Sequence, residues 1–198
     1  IIFDRYKRRG ILPTLYLENI VNYVQQGGAV LVAAGTDFAS ADSIYRSPLS
    51  SVIPAEPTAR VLEEPYRPVV TELGERHPVT ADLPSKGDWG RWLRQIDVIA
   101  TSGNTVMEGL DGRPLLVLDR VGEGRVALLA SDHAWLWSRG YEGGGPQLEL
   151  LRRLGHWMMK EPELEEEALT ATATGQTMRI LRRTLGETIP EVRIAAPD

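Results

Sequence analysis

Three short stretches of this chain put reactive or ligand-holding groups where chemistry could be done. The first is Gly35-Thr36-Asp37, which follows the apolar run Ala29–Ala34. A strand that runs into a tight small-residue turn presents one side chain above the carboxyl end of a parallel sheet, where open α/β folds bind ligands. A threonine hydroxyl there needs a base before it becomes a nucleophile. The second is Asp132-His133, after the apolar run Arg125–Ser131. His133 is the candidate base, and a hydrolase or transferase would pair it with Thr36 or Asp37. The alternative is that Thr36 and Asp37 cap the next short helix and His133 is hydrogen-bonded at a strand end. The third is Glu142-Gly143-Gly144-Gly145-Pro146, whose backbone N–H groups could cradle an anion ahead of a helix. No Gly-Lys-Ser/Thr follows, so it is not a phosphate-binding P-loop, and a flexible connector fits as well.

Aromatic residues surround these stretches. Trp135, Trp137 and Tyr141 can either pack or line a cleft for a sugar or peptide. The expectation is that Gly35, Thr36, Asp37, Asp132, His133, Trp135, Trp137 and the glycines 143–145 border one binding site.

Composition removes several function classes. The 198 residues hold no cysteine, which excludes thiol catalysis, disulfides and Cys-ligated zinc. His77, His133 and His156 lack metal-ligand spacing, so neither a metal nor another cofactor is expected. The net charge of −5 argues against a nucleic-acid partner, because the basic runs at 5–9 and 182–183 are short. No apolar stretch approaches the ~20 residues that span a bilayer. An unidentified small molecule or protein is left as the partner, with the oligomeric state open. The chain starts on Ile1-Ile2-Phe3-Asp4, which reads as the inside of a strand, so a longer parent is expected.

The positioning elements follow from periodicity. Leu17, Ile20, Val21 and Val24 fall on one helix face, and Gly27-Gly28 stops that helix. Ala29–Ala34 is apolar throughout, as in a strand covered on both faces. Strand, helix and strand then make a βαβ unit. Residues 39–57 are rich in breakers, and short strands are expected over 58–83 and 93–100. Pro114–Asp119 and Arg125–Ser131 form a hairpin. Pro146 opens a helix with Leu151, Leu154 and Met158 on one face. Residues 163–167 (ELEEE) are a charged stretch, and alternation at Met178 and Ile180 and at Val192 and Ile194 suggests further strands.

The segment 18–37, ENIVNYVQQGGAVLVAAGTD, resembles the nucleophile-bearing segment of class I glutamine amidotransferase-like domains. The stretches HPVT (77–80), WGRW (89–92), PLLVLDRVGEGRVALLASDHAWLW (114–137) and the segment 143–167, from GGGP to LLRRLGHWMMKEPELEEE, extend the likeness over roughly residues 1–160, with the domain drawn over 1–162. It is closest to such domains in bacterial membrane-anchored proteins of unknown function, and is shared with trehalose-utilisation-like domains. The resemblance implies an α/β, flavodoxin-like three-layer sandwich with a mainly parallel sheet. It also implies that one strand–helix unit precedes residue 1, and that 163–198 is a linker and partial β module. In working amidotransferases the turn carries a cysteine, and a glutamate two residues beyond the histidine orients it. Here those positions are Thr36 or Asp37 and Trp135. The expectation is a catalytically degenerate domain that binds a ligand or partner, as a soluble part of a membrane-anchored bacterial protein. A carbohydrate-binding domain is the further alternative.

Overall fold

A computed structural model of the chain describes residues 1–186 and 191–193. Its centre is a six-stranded sheet in the order β1-β2-β8-β7-β6-β4. β1 (Ile2–Asp4), β2 (Ala29–Ala33) and β8 (Gly124–Leu129) are mutually parallel. β7 (Pro114–Val121), β6 (Asn104–Glu108) and β4 (Val69–Val70) continue the sheet antiparallel. The expectation of a mainly parallel sheet therefore holds in one half only. The 114–131 hairpin explains the switch: a tight turn at Gly122 can join only antiparallel strands. A separate pair, β3 (Ala55–Leu62) with β5 (Gln95–Ala100), lies beside it.

Two helices sandwich the parallel half. α1 (Thr14–Gln25) begins after Pro13 and ends at Gly27, whose φ of +109° suits glycine. Its Leu17 and Val24 pack with Phe3, Val30, Val32, Val126 and Leu128. Alternate residues of the same strands, Leu31, Ala127 and Leu129, face the other way. There they meet Leu150, Leu154 and Trp157 of α3 (Gln147–Met158). The buried face of α3 is thus one position off the expected one: Leu154 is buried, but Leu151 is exposed.

Residues 36–51, which overlap the stretch rich in breakers, form three 3-10 turns. A short helix α2 (Trp135–Ser138) follows β8. The antiparallel half is closed by Trp89, Trp92 and Trp137, with ring centroids 5.1 and 4.8 Å apart along the series Trp89–Trp137–Trp92.

Residues 162–167 are tied down rather than merely solvated. Glu166 is buried, accepts the Trp157 indole N–H at 2.7 Å and pairs with Arg120. Burial pushes its carboxyl up, but the nearby His77, with Nε2 at 3.4 Å, and hydrogen bonds from Arg120 and Trp157 bring it far below the usual range. Glu165 pairs with Arg120 and with the buried Arg125. Beyond them β9 (Ala168–Thr174) and β10 (Thr177–Arg183) pair only with each other. Met178 and Ile180 lie in β10, Val192 lies outside any strand, and Ile194 falls outside the described residues.

Candidate functional site

The parallel strands end in register: Asp4 is level with Ala33, and Ala33 with Leu129. All three border a cavity of about 600 Å³ between this strand edge and α3. Its lining is apolar at Ile2, Leu31, Leu129, Leu154 and Met158 and polar at Asp4, Arg5, Ser131, Asp132 and Gln147, with Trp135 beside them. The volume is within the range of small-molecule pockets.

Of the residues singled out from the sequence, Asp132 and Trp135 border this cavity. Thr36, Asp37 and His133 do not, and neither do the glycines 143–145. The 35–37 turn lies on the α1 side, where Phe38 is buried with Phe3 and Leu17. Gly35 precedes a 3-10 turn over Thr36–Ala39, and Phe38 N–H donates to the Gly35 carbonyl. Neither Thr36 nor Asp37 caps that turn through its side chain; the cap makes no side-chain hydrogen bond. Thr36 is exposed, and Asp37 is held by Lys7 at 3.0 Å. Hydrogen bonds to Asp37 and Asp42 raise the Lys7 pKa.

Asp132 and His133 are both committed to neighbours. The Arg94 guanidinium grips the Asp132 carboxylate, with Nη2 2.8 and 3.0 Å from its two oxygens. His133 Nδ1 accepts the Leu93 backbone N–H at 3.2 Å. A neutral imidazole has one lone pair, so this bond places the proton on Nε2, 3.8 Å from Asp132 Oδ1. The lone pair that a general base would use is occupied. Burial lowers the His133 pKa, with Asp132 opposing and Arg94 adding to the effect.

The glycine run turns out to be a packing seat. Gly143 N–H bonds the Gly140 carbonyl and Gly144 N–H the Tyr141 carbonyl, which leaves those donors unavailable to an anion. A Cβ on Gly145 would fall 2.4 Å from the Trp137 ring, so only glycine lets that indole lie down. Trp137 is 3% exposed and donates to the Gly90 carbonyl at 2.7 Å. It is core and not cleft lining, whereas Trp135 is 51% exposed and Tyr141 is exposed too.

Sequence reasoning missed Asp4, Arg5, Arg94, Gln147 and Gly155. Only Gly155 left a readable sign, as a glycine inside an otherwise good helix sequence, LRRLGHWMM. Among the described residues no cluster of His, Cys, Asp and Glu is arranged to hold a metal, and no helix is long and apolar enough to cross a membrane.

An α/β domain with its polar groups gathered at the ends of parallel strands defines the class. The family model GATase1_like, described as "Putative glutamine amidotransferase", matches residues 4–141, and the chain belongs to that family. Among solved structures it is similar to the cytoplasmic protein STM1381 from Salmonella typhimurium LT2. The TM-score is 0.67 at 23% identity, over 80% of this chain and 71% of that one. Cytoplasmic protein STM3548 from Salmonella typhimurium gives a TM-score of 0.64 at 17% identity, over 80% and 70%. The cold-adapted beta-galactosidase from Rahnella sp. R3 gives 0.50 at 14% identity, over 85% of this chain and 25% of that one. At these identities the likeness is one of fold. No curated protein matches the sequence.

Proposed function

We propose that this chain is a catalytically degenerate glutamine amidotransferase-like domain that works by binding. The observation that carries the reading is the complete absence of cysteine in a member of a putative glutamine amidotransferase family, because the working amidotransferases that the sequence resembles use a cysteine nucleophile. The occupied lone pair of His133 supports it, because neither Thr36 nor Asp37 then has a free base at hand. In this reading the domain is flavodoxin-like and three-layered, with α1 and α3 as the outer layers. One strand–helix unit comes before Ile1, and the parent is a membrane-anchored bacterial protein. The α/β unit ends after Glu167 rather than after Pro162, since Glu165 and Glu166 are bound to Arg120, Arg125 and Trp157. β9 and β10 belong to a separate β module in this reading.

The test is ammonia release from glutamine by the purified domain. The expected result is none above buffer. Turnover that disappears in Thr36→Ala or His133→Ala would overturn the reading and restore an enzyme.

A further inference from the structure

The acidic segment 163–167 that follows α3 has two faces, and each holds a different part of the molecule. Toward the α/β domain, Glu166 is buried, accepts the Trp157 indole N–H at 2.7 Å and pairs with Arg120. Glu165 pairs with Arg120 at 2.5 Å and with the buried Arg125. Toward the β9–β10 hairpin, the Glu163 and Glu165 carbonyls accept from Arg183 Nη1 at 2.6 and 3.1 Å. The Glu167 carboxylate accepts from Thr184 Oγ1 at 2.7 Å and from the Leu185 N–H at 3.0 Å.

The hairpin has little else to hold it. β9 and β10 pair only with each other, and every residue from Leu169 to Arg179 is exposed. Among the described residues, the one further hydrogen bond that reaches the end of the hairpin runs from Arg76 Nη1 to the Gly186 carbonyl, at 3.4 Å. A two-stranded hairpin alone is marginal in water. Its order and direction therefore come from residues 163–167.

The chemistry of this joint decides how it fails. Leu164 is its one apolar side chain, packed against the domain core. The rest is carboxylate against guanidinium and indole N–H. Apolar surfaces resist exposure to water, whereas both members of a separated ion pair are rehydrated. Arg120, which holds Glu165 and Glu166 together, is half-exposed, so its pairs are open to screening by salt. When the Arg120 charge is lost or screened, Glu166 is left in a buried seat short of a cation. Lifting the segment into water is then a smaller opening than unfolding the strands beneath it.

We propose that residues 163–167 are an ionic lock, which fixes the β9–β10 hairpin on the α/β domain and frees it, with the domain still folded, when the Arg120 pairs are broken. The lock does not depend on the domain being a binding module.

The test uses the full chain, whose lack of cysteine lets two spin labels be placed at will. Thr172→Cys in β9 and Glu18→Cys in α1, both exposed, carry them. Pulsed electron–electron resonance should give one narrow distance at low salt. Arg120→Ala should replace it with a broad distribution while the near-ultraviolet signal of the tryptophan core is kept. Glu167→Ala, at an exposed residue on the hairpin side of the lock, should broaden the distance with no change in Tm. Sodium chloride at about 1 M, where the screening length falls to about 3 Å, should broaden the parent distribution less than Arg120→Ala does, because the Arg125 pair is buried. A narrow distance kept in either variant, a broad one in the parent at low salt, or broadening that appears only with loss of the core signal each overturns the lock.

Discussion

Both halves of the central sheet bury apolar strands, yet the antiparallel half is sealed and the parallel half borders a cavity. In the antiparallel half, Trp89 and Trp92 from one loop and Trp137 from α2 join the cluster of Met107, Leu116 and Leu118. Two of the three indoles donate to backbone carbonyls: Trp89 to Pro84 within its own loop, and Trp137 to Gly90, which ties α2 to that loop. In the parallel half, the α1 face is sealed in the same way, but the α3 face over β1 is walled by Gly155, Met158 and the exposed Leu151. The difference teaches that closure of the antiparallel half depends on aromatic rings brought by the segments around it. It also separates a sealed part of the molecule from a part that borders a cavity.

That contrast can be broken by mutation. The largest effect is expected at Val32, on the sealed α1 face of β2. Val32→Asp buries an unpaired charge and should cost about 5 kcal/mol, comparable to the whole stability of a domain. The same change at Ile2, one strand away on the open face, should stay within about 0.5 kcal/mol. Chemical denaturation of both variants measures the gap, and similar losses would mean that the open face is not open.

Next in size is Trp137→Ala. It removes a buried ring, the bond to Gly90 and the packing on Gly145, so about 3–5 kcal/mol should be lost. A urea midpoint close to that of the parent would show that the aromatic cluster does not seal the antiparallel half.

A gain is expected on the open side. Gly155→Ala adds a Cβ into empty space and relieves a helix-interior glycine, for about 1 kcal/mol of added stability and a Tm rise of about 2–4 °C. A fall in Tm would show that α3 is crowded at this point.

The smallest effect concerns pH. Burial holds the His133 pKa below the ordinary imidazole value of about 6.5. As pH falls through that value, the unfolded chain takes up the proton before the folded one does. Stability should therefore fall on acidification from about 6.5 and level off once the folded imidazole is also protonated. Tm measured between pH 8 and pH 5 should drop less in His133→Gln than in the parent. An unchanged profile would remove His133 from the acid response.

Much of the frame is readable in the sequence, because its signals are local. The apolar run of β2, the helix face of α1, the Gly27 stop and the hairpin at Gly122 each depend on residues close in the chain. The absence of cysteine, and with it of thiolate chemistry, is fixed by the sequence outright. The site was less legible. Trp135 and Trp137 are two residues apart and look alike in sequence, but one forms the lip of a cavity and the other is core. Gly90 and Gly145 decide that, from 47 residues before Trp137 and from a separate loop. Glu166 looks like one more solvated acid until Trp157 and Arg120 close around it. The cavity itself has no sequence signature beyond Gly155, since it is a place where β1, β2, β8 and α3 fail to touch. Periodicity states which residues must turn inward; only the pairing of distant strands and helices decides which of those inward faces are covered and which are left to bind.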